Sequence, residues 1–192
     1  MSSIKLTADS GGGTFELKAP SSGSNARVLT VPDTASGTVL TTTNPKAGNI
    51  IQVVTANTTS TVSNTTETFA DSGLTASITI SANSKVLVMC VQTLDVQRGS
   101  GSTDCSCTVR LLRGSTSIFE PSNTKNIGIE ASSDVQRILY LPLHLSFLDT
   151  GASTGSNTYK IQGRVQSANQ SARVRFQDDS NPSVMTLLEV AG

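Results

Sequence analysis

The apolar residues of this 192-residue chain follow the period of a β-strand. Residues 74–80 alternate strictly between apolar and polar. Residues 139–147 place four Leu and one Phe on one side of an extended chain, with Tyr, Pro, His and Ser on the other. Alternation with a period of two is typical of half-buried strands, and nowhere does an apolar stripe recur at i, i+3, i+4 and i+7 over three turns. The pattern predicts an all-β protein.

The composition agrees with strands and turns. Ser (28) and Thr (26) total 54 residues, while only 15% of the chain is charged, so small hydroxyl side chains replace charges on the predicted surface. These residues favour strands and turns over helix interiors. From Asn49 onward the pattern indicates a set of about eight short strands, which is typical of a β-sandwich of jelly-roll type. The predicted strands lie within residues 50–55, 74–80, 85–91, 108–112, 117–120, 136–148, 159–165, 174–176 and 184–190.

Residues 1–48 differ from the rest. Short apolar pieces alternate there with Gly, Pro, Asn and Ser clusters that end strands after a few residues. Pieces this short cannot bury a core, so they need a partner chain or surface. We therefore predict an attachment segment at 1–48 and a β-sandwich domain at 49–192. The positions expected to face a neighbouring chain or surface are Ile4, Leu6, Phe15, Leu17, Val28 and Val31.

Charge and hydropathy exclude several classes of partner. The chain has 14 Lys+Arg against 14 Asp+Glu and no basic run, so it lacks the positive footprint that nucleic acid requires. No stretch approaches the ~18 consecutive apolar residues of a membrane span, and the N-terminus lacks the apolar run of a signal peptide. We expect no nucleic-acid partner, no membrane insertion and synthesis in a reducing cytoplasm.

One short motif resembles a catalytic signature. Residues 147–151 read Phe-Leu-Asp-Thr-Gly, as in aspartic proteases, whose chemistry needs two facing aspartates that share a proton. The motif occurs once, so Asp149 would serve only in a dimer. The Ile-Gln-Gly-Arg sequence at 161–164 follows too closely to allow the usual intervening strands. The favoured interpretation is a turn, because Asp and Gly are common turn residues. A dimeric aspartic protease is the remote alternative.

The cysteines and the single histidine do not form a metal site. Cys105 and Cys107 are two residues apart, which is not the C-x2-C spacing of a zinc knuckle, and no second Cys/His pair accompanies them. Cys90 lies in an apolar run and is expected to be a small buried residue. His144 has no partner histidine and is interpreted as a structural residue. We predict no enzyme activity, no metal and no cofactor.

The order of several pieces resembles a known family. In the first part they are residues 2–6, 14–20, 27–32 and 37–42, and in the rest they are 48–54, 73–74, 77–80, 84–89, 112–116, 148–149, 158–162 and 187–191. Together they are similar to virion fibre-type proteins of bacteriophages, which are common among marine phages and cyanophages, with a leader and a C-terminal β-domain. Residues 103–107, Thr-Asp-Cys-Ser-Cys, depart from that pattern.

The resemblance implies a structural component of a phage virion, most simply a short tail fibre or tail-associated fibre. It implies a homotrimer, other virion proteins of tail or head as partners, and assembly in the host cytoplasm. Residues 1–48 would then be the virion-attachment and trimerisation segment, with the six apolar positions named above facing the virion surface or a neighbouring chain. A head fibre or capsid decoration protein is an alternative. A tip that binds a host glycan or receptor is another, through loops at 97–104, 122–133 or 151–157.

Overall fold

The computed structural model describes residues 3–7, 10–11, 13–18, 45–98, 105–121, 127–129, 136–166, 168 and 172–192. The chain divides into two units, Met1–Val39 and Leu40–Gly192. The division between residues 48 and 49 that we predicted from composition stays a prediction.

The described part of the first unit is a single antiparallel hairpin. Strand β1 (Ser3–Thr7) pairs with β2 (Thr14–Lys18). The register sets Ile4 opposite Leu17 and Leu6 opposite Phe15, so the four apolar positions lie two apart along each strand. A lone two-stranded hairpin is marginally stable in water.

The described part of the second unit is built almost entirely of strands. They are β3 (Ile50–Thr58), β4 (Val62–Asn64), β5 (Ala70–Ile80), β6 (Lys85–Arg98), β7 (Cys105–Arg113), β8 (Thr116–Phe119), β9 (Ile127–Ile129), β10 (Arg137–Asp149), β11 (Gly155–Val165), β12 (Arg173–Phe176) and β13 (Ser183–Val190). The 3-10 turn Asp178–Ser180 joins β12 to β13. The predicted all-β class is confirmed.

The strands form two antiparallel sheets. In sheet I, β6 lies at the centre, with β10 along one edge and β13 followed by β12 along the other; β3 pairs with β13, and β4 pairs with β12. In sheet II the order is β5-β11-β7, and β7 pairs at its outer edge with β8 at one end and β9 at the other.

Apart from the short strands β4, β9 and β12, the strands of the second unit pair in a nested order. The first pairs with the last (β3 with β13), the second with the next to last (β5 with β11), then β6 with β10, and finally β7 with β8. Folding one long hairpin of paired strands over on itself gives this arrangement, with successive pairs in alternate sheets. It is the jelly roll, as the strand spacing predicted.

The core lies between the two sheets and follows the alternation in sequence. In β5 every second residue from Ser72 to Ile80 is buried, and in β13 every second residue from Ser183 to Val190. Polar groups in this layer are paired: Ser72 Oγ donates to Gln92 Oε1 (2.9 Å), and Gln92 Nε2 donates to Ser183 Oγ (2.8 Å). Buried polar groups without partners would destabilise the sandwich, whereas this amide links both sheets.

Gly163 of β11 packs directly against an aromatic ring of the opposite sheet. An added Cβ would lie 2.5 Å from Cζ of the fully buried Phe176. Only the absence of a side chain allows β11 to pack against the Phe176 ring of β12.

We predict that Gly163→Ala lowers the free energy of unfolding by about 1–3 kcal/mol, because Phe176 must leave its position in a close-packed core. Urea denaturation of the full chain measures the effect. Gly128→Ala is the control, since its added Cβ would meet Ser106 Cβ at 3.6 Å, an ordinary contact. Equal stability of the two variants would contradict this account.

Candidate functional site

Asp149, the residue of the protease-like motif, is a fully engaged structural carboxylate. It ends β10 and is buried. Arg113 Nη1 donates to both of its oxygens at 2.7 and 2.6 Å, the Tyr159 hydroxyl donates to Oδ2 at 2.8 Å, and the Gly151 N–H donates to Oδ1 at 3.0 Å. The bond to Gly151 closes the turn that follows the strand, so the turn interpretation agrees with the geometry.

This arrangement leaves Asp149 without the features of an acid–base catalyst. The catalytic aspartates of proteases share a proton between two carboxyl groups, whereas here an Arg, a Tyr and a backbone N–H bind the carboxylate. Burial, followed by the hydrogen bond to Asp149, raises the pKa of Tyr159, so its hydroxyl keeps its proton and remains a donor. The 161–164 segment lies inside β11 and packs in the sandwich.

The three cysteines are buried free thiols. Burial raises the pKa of Cys90 to about 11 and that of Cys107 to about 12. Cys105 Sγ donates to the carbonyl of Gln97 at 3.2 Å. Since the thiolate is the reactive form, these groups are poor nucleophiles and ligands at neutral pH. Among the described residues, no group of three or more His, Cys, Asp and Glu side chains is placed to hold a metal ion.

The outer face of sheet II is solvated on β5 and β11, while Ser106, Thr108 and Leu112 on the outer side of β7 are buried. Hydroxyl side chains occupy it on β5 (Thr75, Ser77, Thr79), and ion pairs join Lys160 to Asp71 (3.0 Å) and Arg110 to Glu120 (3.1 Å). This is the polar surface that an antiparallel sheet presents to water.

The outer face of sheet I is different, because seven of the twelve side chains that align across β10, β6, β13 and β3 are apolar and one row is apolar throughout. The register of β10, β6, β13 and β3 gives three rows, which we call together the apolar face: Leu148–Leu87–Leu188–Val53, Ser146–Met89–Thr186–Thr55 and His144–Val91–Val184–Asn57.

The apolar face carries large exposed side chains and no acidic or basic residue other than His144. Val53 is 57% exposed, Met89 48% and Leu148 45%. Lys85 lies beyond it at one end. Beyond Thr93 at the other end lies a charged cluster, in which Arg175 pairs with the buried Asp95 (3.2 Å) and with Asp178.

Two shallow depressions lie along this side of the molecule. One, of about 380 Å³, is lined by Met89, Val91, His144, Val184 and Thr186 on the apolar face. The other, of about 290 Å³, is lined by Thr93, Tyr140, Pro142, Asp178 and Asn181 toward the charged cluster. His144, interpreted from sequence as a structural residue, is exposed here.

The residues predicted to attach the chain are only partly described. Ile4, Leu6, Phe15 and Leu17 belong to the hairpin, and of these Leu6 is 57% exposed. Val28 and Val31 lie outside the described residues, as do most of the 97–104 and 122–133 loops. In the 151–157 loop, Asn157 Nδ2 donates to the carbonyls of Ser153 (2.7 Å) and Gly155 (3.0 Å), which closes the loop on itself.

Sequence reasoning missed the apolar face as a surface. The nearly continuous apolar run at 85–91 is the signal in the sequence, because it is typical of a strand that is buried on both faces. In the structure Val86, Val88 and Cys90 are buried inside the sandwich, while Leu87, Met89 and Val91 point outward. No helix in the described part of the chain is long and apolar enough to cross a membrane.

Comparisons with known proteins give no family. No family model matches the chain, and no curated protein matches it. Solved structures of infectious bursal disease virus are distantly similar. The match to the viral particle covers 94% of this chain and 42% of the viral chain, at 12% identity and a TM-score of 0.35; the match to the Gx strain covers 97% of this chain and 40% of the viral chain, at 11% identity and a TM-score of 0.33. The match to a VP2 subviral particle covers 86% of this chain and 42% of the viral chain, at 12% identity and a TM-score of 0.31. The chain spans less than half of each, and likeness this weak carries no functional argument.

We predict that Asp149→Asn lowers the free energy of unfolding by about 1–3 kcal/mol, because Arg113 loses a charged partner in a largely buried site. Urea denaturation measures this. Asp71→Asn is the matched control and should cost under about 1 kcal/mol, since the Asp71 side chain is 54% exposed in its ion pair with Lys160. Cleavage of a peptide library by the wild type, lost in Asp149→Asn, would revive the protease alternative.

A second prediction concerns alkaline pH. Unfolding lowers the pKa of Cys90 and Cys107 from about 11 and about 12 toward 9.0. The neutral thiols therefore stabilise the fold fully below pH 9, and this contribution is lost as pH rises toward 11–12. We expect the unfolding free energy to fall above pH 9 by up to about 1.4 kcal/mol per pH unit for each thiol. Denaturation at pH 7.5–10.5 should show a shallower fall for Cys107→Ala; parallel curves would contradict the assignment.

Proposed function

We propose that this protein is a non-enzymatic structural component of a virus particle, and specifically of a bacteriophage virion, as a short tail fibre or tail-associated fibre. The observation that carries the proposal is the contrast between the two faces of the jelly roll. Sheet II presents hydroxyls and ion pairs to water, whereas sheet I presents the apolar row Leu148–Leu87–Leu188–Val53 beside the exposed Met89. A contiguous exposed apolar surface of this kind marks an interaction site.

The chemistry of the described side chains supports a structural role over an enzymatic one. Asp149 is bound by Arg113 and Tyr159, and the three thiols are buried and protonated. An assembly protein needs only surfaces that fit other subunits. The similarity in sequence to virion fibre-type proteins supplies the kind of assembly, since a jelly roll by itself hosts many functions.

The leader is proposed to attach the body to the particle. Its hairpin sets Ile4 opposite Leu17 and Leu6 opposite Phe15, and a hairpin of this size gains stability only against another surface. Residues 1–48 would then dock on other virion proteins or wind with identical copies as a homotrimer. A head fibre or capsid decoration protein would use the same surfaces at another position on the particle. A host glycan or receptor as a further partner stays a prediction.

We predict that the chain is found in purified virions by mass spectrometry, and that gold-labelled antibody places it on the tail. Label on the head would favour the decoration alternative, and its absence from virions would contradict the proposal.

The same experiment tests the leader with variants of the full chain. Virions assembled with Leu6→Asp should contain at least about tenfold less of the protein, because a charge at an apolar contact opposes docking. Thr79→Asp, on the solvated face of sheet II, should be incorporated normally. Normal incorporation of Leu6→Asp would show that attachment lies elsewhere.

A further inference from the structure

No element of the described chain packs on the apolar face, although its side chains are largely apolar. Strand β6 is apolar on both sides between Val86 and Val91, a pattern of strands covered on both faces, yet only the inner side is covered by sheet II. We infer that a second copy of this chain covers it, with the apolar face of one copy packed on the apolar face of the other. The inference goes beyond the homotrimer of the proposed function, which forms through the leader, because it adds a two-fold contact between sandwich domains.

The area of the face fits a small interface. Four strands spaced about 4.8 Å apart span about 19 Å, and three rows two residues apart span about 20 Å at about 3.3 Å per residue. The flat footprint is about 380 Å² per copy, or about 760 Å² for two copies, against about 1,000 Å² for a specific protein interface. Side chains standing on the sheet expose more surface than this flat footprint.

The charge distribution favours a copy over a partner of different chemistry. The three rows hold no Asp, Glu, Lys or Arg, so the face has no means of selecting an oppositely charged partner. An apolar face is complementary to itself, as a two-fold interface between identical subunits requires. Two sheet faces with aliphatic side chains pack at about 10 Å, the same layer geometry that forms the core.

The free edge of β10 is a poor alternative route for association. Thr93 opposes Pro142, and the Thr93 N–H and carbonyl both point to the other side, where they bond Ser183 Oγ (3.0 Å) and the Gln177 N–H (3.1 Å). Thr93 and Pro142 therefore form a non-hydrogen-bonded pair, and the Pro142 nitrogen faces the free edge. An edge without a donor at its centre resists strand addition.

The test measures the mass of the purified full chain by light scattering and its self-association by sedimentation. The subunit mass is 19.9 kDa. Met89→Lys and Leu148→Lys each place a charge on an exposed position of the apolar face, so the monomer should fold normally. We expect the wild type to be larger than one subunit at micromolar concentration, and each variant to lose copies, with a dissociation constant raised at least about tenfold.

Thr79→Lys and Ser156→Lys are matched controls, because they place the same charge on exposed strand positions of sheet II. They should keep the wild-type mass. Circular dichroism and thermal melts confirm that all four variants are folded. A monomeric wild type, or folded Met89→Lys and Leu148→Lys variants of wild-type mass, would overturn the inference. A chain present in virions but monomeric would overturn only this inference, whereas an oligomer absent from virions would overturn only the proposed function.

Discussion

The pairing of β6 on both of its edges is the constraint on which the rest of sheet I depends. Thirteen residue pairs join it to β10, while its other edge pairs first with β13 and then with β12. Because side chains alternate between the two sides of a strand, this register determines which residues of β6 face the core and which face outward. The inner side of β6 fills the core, and the outer side aligns Leu87, Met89 and Val91 with their neighbours. A slip of one residue would exchange the two sets.

The two halves of β6 differ in how they are stabilised. From Lys85 to Val91 the strand is held by aliphatic packing, and its outer side has no cover in the described chain. From Gln92 to Arg98 the strand is more polar, and from Leu94 onward consecutive residues are buried instead of every second one. Asp95 is fully buried there, and Arg175 pairs with its charge. A buried carboxylate would be very costly alone, so this pair ties β12 to β6. The charged cluster thereby limits the apolar face at one end.

Local sequence patterns predicted the elements of the fold but not their alignment. Strict alternation located β5 and the leucine face of β10. The three cross-strand rows depend on register between segments far apart in the chain, which no local pattern contains. The Arg113 partner of Asp149 likewise lies 36 residues away. The short strand β4 was missed because Val62–Asn64 lies in a Thr- and Ser-rich stretch with no alternation.

The few charged residues of the chain are distributed unevenly between the two sheets. Charges on the described body lie on sheet II and at the ends of sheet I, so the scarcity of charge is greatest where Leu87, Leu188 and Val53 align. A formal net charge of zero supplies no repulsion between copies. An exposed aliphatic face on such a molecule draws copies together, and the missing donor at Pro142 discourages growth along the strand edge. Association through the apolar face ends when two copies are paired, whereas association through a strand edge can continue from copy to copy.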